Sequence, residues 1–509
     1  MEIANLQKDF SNHKQLKQWL LNVHEKYYIE LKKAQELPSS FWETYSSFCN
    51  TAGGIIVLGV IEGKPQNEIK GVGNVSKTIT SLWDQLSNKT KVNFRNIEND
   101  DVMSYELEDG VTVILVNVKE APESMKPVYI NDKIENTYIR TGDGDRKATK
   151  EELAAFMRNA QPGHDNLFID GMGMESLDID SVLLFKEKVH KRYPKQKYLE
   201  MKNEKFLEEI GACKIDSLTG DVKLKRGTLL FLGRVNAIQE MYPHYHVDYY
   251  NRRGNNPRWI DRVTDDEPGD YQMNIFNFYN SVYSKISILL KESFELDQYQ
   301  LRIPFSDFDE TIRECLVNCL AHADYSQGYP TTKIEVFDGW FNFINPGKML
   351  VSTRQFVTGG DSRPRNEIIM KLFRLLGASE RQGFGGPLIF KTAINNDFRR
   401  PEIITDLEHT ELKVWNIDLA DSYPDLTEDE KMLLRYIVKN GSDKSLRDLA
   451  AILNMTEYRA RKAMNSLEEE RHIIRKVGNG KSTRYVLEME SIELLTVLQM
   501  ALDKIKMHI

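Results

Sequence analysis

The sequence predicts a multidomain protein that combines α/β and α+β domains. Its 509 residues are enough for about three or four domains. Short β-branched runs bounded by glycine alternate with longer segments whose apolar residues recur at helical spacing, which is typical of mixed α/β structure. Apolar content of 41% and charged content of 28% are ordinary for a globular protein.

Bulk properties narrow the class further. The net charge is −8, so nucleic-acid binding must come from a local basic patch rather than from the whole surface. Four scattered cysteines without C-x-x-C spacing indicate neither a zinc site nor a disulfide framework. The longest apolar run, 55–61, is too short to cross a bilayer, and the first residues lack signal-peptide character. We therefore expect a cytoplasmic protein without a membrane partner.

The first predicted domain spans residues 12–160. The apolar run after Asn50-Thr-Ala-Gly53-Gly54 is a buried strand by length and β-branching, and further strands are expected at 102–106, 112–118 and 136–140. With its E-x-K, N-T-x-G-G, G-V, G-x-G and Y-x-R-x-G elements in order, this region resembles the Schlafen AlbA_2 domain. The resemblance implies association with nucleic acid.

The same resemblance implies a metal-dependent nuclease site, for which the candidates are Glu25, Glu30 and Glu62. A five-residue separation puts Glu25 and Glu30 on different faces of a helix or strand, so their convergence requires irregular backbone. The alternative is that Glu30 pairs with Lys32 or Arg140 for structural reasons. If the domain binds nucleic acid, the expected phosphate partners are Lys32, Lys33 and Arg140.

Residues 165–300 are expected to form an α/β linker region that leads into the next domain. Helical spacing predicts helices at 180–193, 203–210 and 228–232, and a long helix within 270–294. His244 and His246 alternate along a predicted strand and could mimic a metal pair. No third ligand is close in sequence, which favours ordinary strand histidines.

Residues 300–420 contain the most informative motif. Glu314, Asn318 and His322 recur every four residues, so they share one face of a helix. Leu316 and Leu320 fall on the opposite side, where a core would take them. The alternative is an amphipathic helix whose polar face is merely solvated.

This segment, with Asn345-Pro-Gly347, Arg365-Asn366 and 380–386 following in order, resembles the divergent GHKL-type (Bergerat) ATPase domain of RecG-like, divergent AAA-4 proteins. The resemblance implies an α/β sandwich that binds ATP and Mg²⁺. Glu314 would orient or deprotonate water, the amide oxygen of Asn318 would hold Mg²⁺, and His322 would approach the phosphates.

The remaining motif pieces complete the expected site. Asn345 stands where a typical GHKL protein has the carboxylate that binds adenine, so adenine recognition is weakened or altered. Asp338-Gly339 predicts a tight hairpin turn instead of a nucleotide contact. Arg365 is either a phosphate ligand or a surface salt-bridge partner. The other expected cofactor-binding residues are glycines, which let backbone amides approach phosphates: Gly347, Gly383, Gly385 and Gly386.

A winged helix-turn-helix is predicted for residues 424–490. A capping box at Thr427 and Glu430 opens the first of three helices, at 426–440, 445–453 and 456–469, and a hairpin follows. In that geometry the third helix enters the major groove and the wing contacts phosphates. A protein-binding role is the alternative. The DNA-facing candidates are Tyr458, Arg459, Arg461, Lys462, Arg475, Lys476, Lys481 and Arg484.

The tail, 491–509, has helical spacing and is expected to pack on the body or support a homo-oligomer.

Three functions follow for the whole chain. The first is an ATP-binding transcriptional regulator that couples nucleotide to DNA or RNA binding, with possible ATPase activity. The second is a Schlafen-like, metal-dependent nuclease acting as a defence effector. The third is a non-catalytic scaffold with a degenerate ATP fold.

Overall fold

The computed structural model describes residues 13–25, 27–107, 110–161, 163–254, 258–267, 271–296, 305–360, 363–379, 383–440, 444–477 and 483–488. Its contacts divide the chain into two compact units, 1–161 and 162–509. Both mix helices with sheets, which confirms the predicted multidomain α/β class. Among the described helices, none combines the length and apolar character needed to cross a bilayer.

The first unit is built on a four-stranded sheet of order β1-β2-β6-β5, in which β1 and β2 are parallel and the other pairs antiparallel. Its helices are α1 (His13–Asn22), α2 (Phe41–Asn50), α3 (Val75–Ser87) and α4 (Lys150–Ala160). Its strands are β1 (Ile29–Lys32), β2 (Gly54–Leu58), β3 (Val60–Ile61), β4 (Glu68–Ile69), β5 (Val102–Glu106), β6 (Thr112–Val118), β7 (Tyr138–Thr141) and β8 (Gly144–Lys147).

Both faces of this sheet are buried. Ile56 and Leu58 of β2 join one core cluster, while the alternate residues Ile55 and Val57 join another. A strand that is buried on both faces has a continuous run of apolar residues in its sequence. This explains why the apolar run after Gly54 correctly predicted a buried strand.

The second unit contains a six-stranded sheet of order β12-β11-β13-β14-β16-β15, with β11 and β13 parallel and all other neighbours antiparallel. The strands are β9 (Cys213–Ile215), β10 (Val222–Leu224), β11 (Val247–Asn251), β12 (Asp261–Thr264), β13 (Thr332–Phe337), β14 (Trp340–Pro346), β15 (Glu402–Thr405) and β16 (His409–Trp415). The sheet therefore draws two strands from the stretch expected to be a linker. Asp338-Gly339 joins β13 to β14, with Gly339 at φ +82°, which confirms the predicted hairpin turn.

Helices pack on one face of this sheet. A row of apolar residues in register across four strands (Tyr249, Ile334, Phe343 and Leu412) shares one core cluster with the apolar side of α10. The helices are α5 (Ile179–Arg192), α6 (Asn203–Glu209), α7 (Arg226–Leu232), α8 (Val235–Met241), α9 (Ile275–Leu296), α10 (Phe305–His322), α11 (Thr353–Thr358), α12 (Glu367–Leu376) and α13 (Gly385–Asn395).

The C-terminal part of the second unit has three helices followed by a two-stranded antiparallel sheet, and it has its own small core. These elements are α14 (Glu428–Asn440), α15 (Leu446–Ile452), α16 (Glu457–Asn465), β17 (Ile474–Val477) and β18 (Arg484–Leu487). The amide of Thr427 donates to the Glu430 carboxylate at 2.6 Å, and the amide of Glu430 lies 3.4 Å from the Thr427 hydroxyl. The predicted capping box is confirmed. The predicted tail, 491–509, lies outside the described residues.

Candidate nucleotide site and nucleic-acid interfaces

Helix α10 presents its polar face to a cleft. Glu314, Asn318 and His322 line this cleft, whereas Leu316 and Leu320 on the same helix are fully buried in the core. The four-residue spacing thus places the polar residues on one side of the helix and the apolar residues on the other. The Nδ2 of Asn318 donates to Oε1 of Glu314 at 3.1 Å, so the side-chain oxygen of Asn318 is not used in this bond.

The α10 cleft combines apolar walls with a few polar groups. Its walls enclose about 1130 Å³ of space, part of which is open solvent. Its apolar walls include Phe343, Leu350 and Leu412. Such a combination of apolar walls with a few polar groups is typical of cofactor sites.

Glu314 lies against the start of α13. A Cβ added to Gly385 would lie 2.2 Å from Oε1 of Glu314, so only glycine allows this approach. Burial raises the pKa of Glu314, while the hydrogen bond from Asn318 opposes that shift. A carboxylate with a raised pKa is a better proton acceptor, which is the property expected of a general base.

His322 is neutral at pH 7. Burial lowers its pKa to about 4, and the nearby Arg365 guanidinium contributes to the shift. The ring therefore brings hydrogen-bonding capacity to the cleft but no positive charge.

Positive charge comes from residues that the motif analysis missed. Lys348, Arg363 and Arg374 line the cleft, and among the described residues Glu314 is the one carboxylate that does. Excess positive charge favours an anionic ligand. Arg363 lies two residues before the Arg365-Asn366 motif, and this closeness in sequence could have identified it as a cleft residue. Thr410 and Ser379 also reach the cleft and carried no recognisable signal.

Asn345 lines the cleft from the end of β14. Its Nδ2 donates to the carbonyl of Pro346 at 3.2 Å. The side-chain oxygen of Asn345 can then accept a hydrogen bond from a ligand. Gly383, Gly385 and Gly386 also line the cleft, whereas the neighbouring predicted motif residues 380–382 lie outside the described residues.

Two predicted cofactor ligands lie behind the cleft wall. Arg365 is buried, with Nε donating to the carbonyl of His322 at 3.0 Å and Nη2 donating to that of Lys348 at 2.7 Å. Gly347 packs against it, since an added Cβ would lie 3.0 Å from the same guanidinium. The guanidinium also lies 4.0 Å from the Asp324 carboxylate, and because both side chains are buried this ion pair is internal instead of on the surface. A phosphate contact by Arg365 stays a prediction.

The three carboxylates of the candidate nuclease site lie near one another. The amide of Glu25 donates to Oε1 of Glu62 at 3.1 Å, and Oε1 of Glu25 accepts from the amide of Leu31 at 3.1 Å. Burial raises the pKa of Glu25, and the negative charges of Glu30 and Glu62 add to the effect. Among the described residues, no three acidic, histidine or cysteine side chains are arranged to hold a metal ion.

Arg140 is not available to nucleic acid. Its buried guanidinium contacts the carboxylates of Glu30 at 2.8 Å and Asp145 at 2.9 Å. Lys32 donates to Glu30 at 2.8 Å and is nearly buried. The alternative that Glu30 pairs with Lys32 or Arg140 for structural reasons is confirmed, because both cations contact it. The phosphate-binding prediction is wrong for Arg140, whose side chain is fully buried. Lys33 is exposed and stays a prediction.

The basic residues of α16 and the β17–β18 sheet differ in their partners. Tyr458, Arg461 and Lys462 are exposed. Three other predicted residues make ion pairs with carboxylates: Arg459 with Asp429, Arg475 with Glu488, and Lys476 with Glu468. Arg484 is half-buried, and Lys481 lies outside the described residues.

His246 is an ion-paired histidine. Its Nε2 lies 2.7 Å from Asp248 and its Nδ1 lies 2.8 Å from Asp265. These hydrogen bonds raise its pKa to about 10. A doubly paired imidazolium cannot ligate a metal, which agrees with the expectation that the two histidines are no metal pair. The strand predicted for them is wrong, because β11 begins at Val247 and His244 lies in a turn before it.

Family models match three stretches of the chain. The model described as "Schlafen, AlbA_2" matches residues 25–149, and the model described as "Putative ATP-dependent DNA helicase recG C-terminal" matches residues 331–414. The chain therefore contains one region similar to the Schlafen AlbA_2 domain and one similar to the recG C-terminal domain. A "Domain of unknown function (DUF8451)" matches residues 154–248, within the stretch that joins the other two.

Whole-chain comparisons add little to this assignment. No curated protein matches the chain. A crystal structure of the DIP2311 protein from Corynebacterium diphtheriae is 13% identical, covers 93% of this chain and 98% of its own, and has a TM-score of 0.38. Likeness at that level carries no argument. The two domain matches point to a nucleic-acid-associated, ATP-binding protein.

Proposed function

We propose that the protein is a regulator that binds ATP with Mg²⁺ in the α10 cleft and couples nucleotide binding to nucleic-acid binding. The observation that carries this proposal is the position of Glu314 and Asn318 in a cleft whose other charged side chains are cations. The amide oxygen of Asn318 is a hard ligand of the kind that Mg²⁺ requires. When bound, Mg²⁺ would neutralise phosphate charge.

The chain's own residues have distinct roles in this proposal. Lys348, Arg363 and Arg374 attract the triphosphate. Glu314 orients a water molecule or accepts its proton, helped by its raised pKa. Asn345 offers its side-chain oxygen to the adenine amino group in place of the usual carboxylate.

Isothermal titration with MgATP tests the binding step. We expect Asn318→Ala to abolish binding, Asn318→Asp to retain part of it because a carboxylate oxygen also ligates Mg²⁺, and the exposed control Asn440→Ala to bind like the wild type. If the wild-type protein does not bind MgATP, or if Asn318→Ala binds it equally well, the proposal fails. The scaffold hypothesis would then be the remaining account of this domain.

The C-terminal three helices and two-stranded sheet are proposed to act as a winged helix that binds DNA. Exposed Tyr458, Arg461 and Lys462 on the third helix support this role. Retention of labelled duplex DNA, measured with and without MgATP, tests both binding and coupling. A protein that shifts DNA equally at all nucleotide concentrations would contradict the coupling.

A metal-dependent nuclease is the second candidate. The closeness of Glu25, Glu30 and Glu62 favours it: burial, together with the charges of Glu30 and Glu62, raises the pKa of Glu25, and a cation would offset those charges. Incubation with RNA and single-stranded DNA plus Mn²⁺ tests this function. Glu25→Gln should abolish cleavage, and the exposed control Glu68→Gln should not. Intact substrates with the wild-type protein would exclude the candidate.

A further inference from the structure

The first residues of the second unit are tied to the wall of the α10 cleft. The amide of Gly163 donates to the carbonyl of Arg365 at 3.0 Å. The Asp165 carboxylate is buried at 1% exposure and accepts hydrogen bonds from three successive backbone amides at the start of α12. Those amides belong to Glu367, Ile368 and Ile369, at 2.8, 2.8 and 3.1 Å.

The elements held in this way form the cleft. Helix α12 contributes Met370 and Arg374 to its lining. Arg365 donates to the carbonyls of His322 and Lys348, which also line it. A continuous series of hydrogen bonds therefore runs from Gly163 and Asp165 to the residues that would surround a nucleotide.

Asn366 joins the same series to the end of α10. Its Nδ2 donates to the carbonyl of Ala321 at 3.1 Å and to that of Ala323 at 2.7 Å. The end of α10 and the start of α12 are thus fastened to each other beside His322. Any ligand that restrains one of these two helices restrains the other.

Asp165 suits this role better than an ordinary helix cap would. Capping residues commonly lie at the surface, where one hydrogen bond satisfies one exposed amide. Here a fully buried carboxylate satisfies three amides. Burial raises the pKa of Asp165 to about 6, and the hydrogen bonds from the three amides at the start of the helix oppose that rise. Gly227 allows the approach, since an added Cβ would lie 2.6 Å from Oδ2 of Asp165.

We propose that Asp165 and Arg365 are positioning residues that couple nucleotide occupancy of the α10 cleft to docking of the segment 163–166. This inference rests on the proposed ATP-binding function. A nucleotide held between α10 and α12 stabilises the docked segment. Because such coupling is reciprocal, release of the segment lowers the affinity for the nucleotide by the same factor.

Titration of the full-length protein with Mg²⁺ and a non-hydrolysable ATP analogue tests the first half of the coupling. Asp165→Asn keeps the side-chain shape but removes the charge and one acceptor oxygen. We expect its affinity to fall about tenfold, within the roughly 5–150-fold range of coupled sites. The matched control is Asp170→Asn, whose carboxylate is 95% exposed, and its affinity should be unchanged. Wild-type affinity in Asp165→Asn would overturn the inference.

Hydrogen–deuterium exchange of the wild-type protein tests the second half without a variant. We expect the nucleotide analogue to slow exchange of the amides of Gly163, Glu367, Ile368 and Ile369 at least fivefold, and Asp165→Asn to lose this response. A cap with a purely structural role would protect these amides equally with and without nucleotide, and that result overturns the coupling. Absence of binding by the wild type would instead refute the proposed function itself, and the inference with it.

Discussion

Replacing Gly385 with alanine tests whether the Glu314–Asn318 pair is the centre of the cleft. The added Cβ would lie 2.2 Å from Oε1 of Glu314 and 3.0 Å from Nδ2 of Asn318. Ordinary van der Waals contact begins at 3.4 Å, so the carboxylate must retreat by more than 1 Å. Alanine is a good helix former and Gly385 is the first residue of α13, so the protein should remain folded.

The displacement should affect both binding and turnover. Movement of Glu314 breaks its hydrogen bond with Asn318, which is worth about 0.5–1.5 kcal/mol, and disturbs the proposed Mg²⁺ ligand. We therefore expect about tenfold weaker binding of MgATP, since about 1.4 kcal/mol corresponds to a factor of ten. Misplacement of a reacting group by about 1 Å can cost on the order of 100-fold in rate, which sets the expected loss of any ATP turnover.

Calorimetric titration with MgATP and a phosphate-release assay measure these two effects. Gly144→Ala is the matched control, because an added Cβ there has its nearest neighbour at 3.9 Å, and it should bind like the wild type. Thermal unfolding confirms that both variants are folded. Wild-type affinity in folded Gly385→Ala would show that Glu314 and Asn318 do not contact the nucleotide.

Three further predictions follow from charges in the structure. Because the pKa of His322 is lowered to about 4, the unfolded chain binds a proton there that the folded chain does not; the free energy of unfolding should fall by up to about 3 kcal/mol as pH drops from 6.5 towards 4. His322→Gln should lose this part of the pH profile in urea unfolding, and an unchanged profile would contradict the shift. Arg140→Ala should lower the free energy of unfolding by about 1–3 kcal/mol because Glu30 and Asp145 lose the cation that they share; an unchanged midpoint of urea unfolding would refute this. The double variant Arg461→Ala/Lys462→Ala should weaken retention on duplex DNA and reduce the salt dependence by about two phosphate contacts, whereas unchanged mobility at low salt would count against DNA binding by α16.

Local periodicity carried most of the predicted fold. The apolar run in β2, the Asp338-Gly339 turn and the capping box at Thr427 all depend on residues within a few positions of one another, and each is confirmed. The four-residue repeat on α10 likewise placed three polar side chains on one face, because helix geometry alone decides which residues share a face.

What only the tertiary structure decided are the partners of the charged groups. The sequence offered Lys32 and Arg140 as alternative partners of Glu30, but in the fold both contact it, and Arg140 also pairs with Asp145, over a hundred positions from Glu30. Similarly, Asp165 meets the amides of α12 about two hundred positions later in the chain. Periodicity determines which face a residue occupies, whereas the element that packs against that face depends on long-range topology. For this reason the sequence by itself determined the polar face of α10, and only the fold decided that cations would surround it and that Arg365 would brace it.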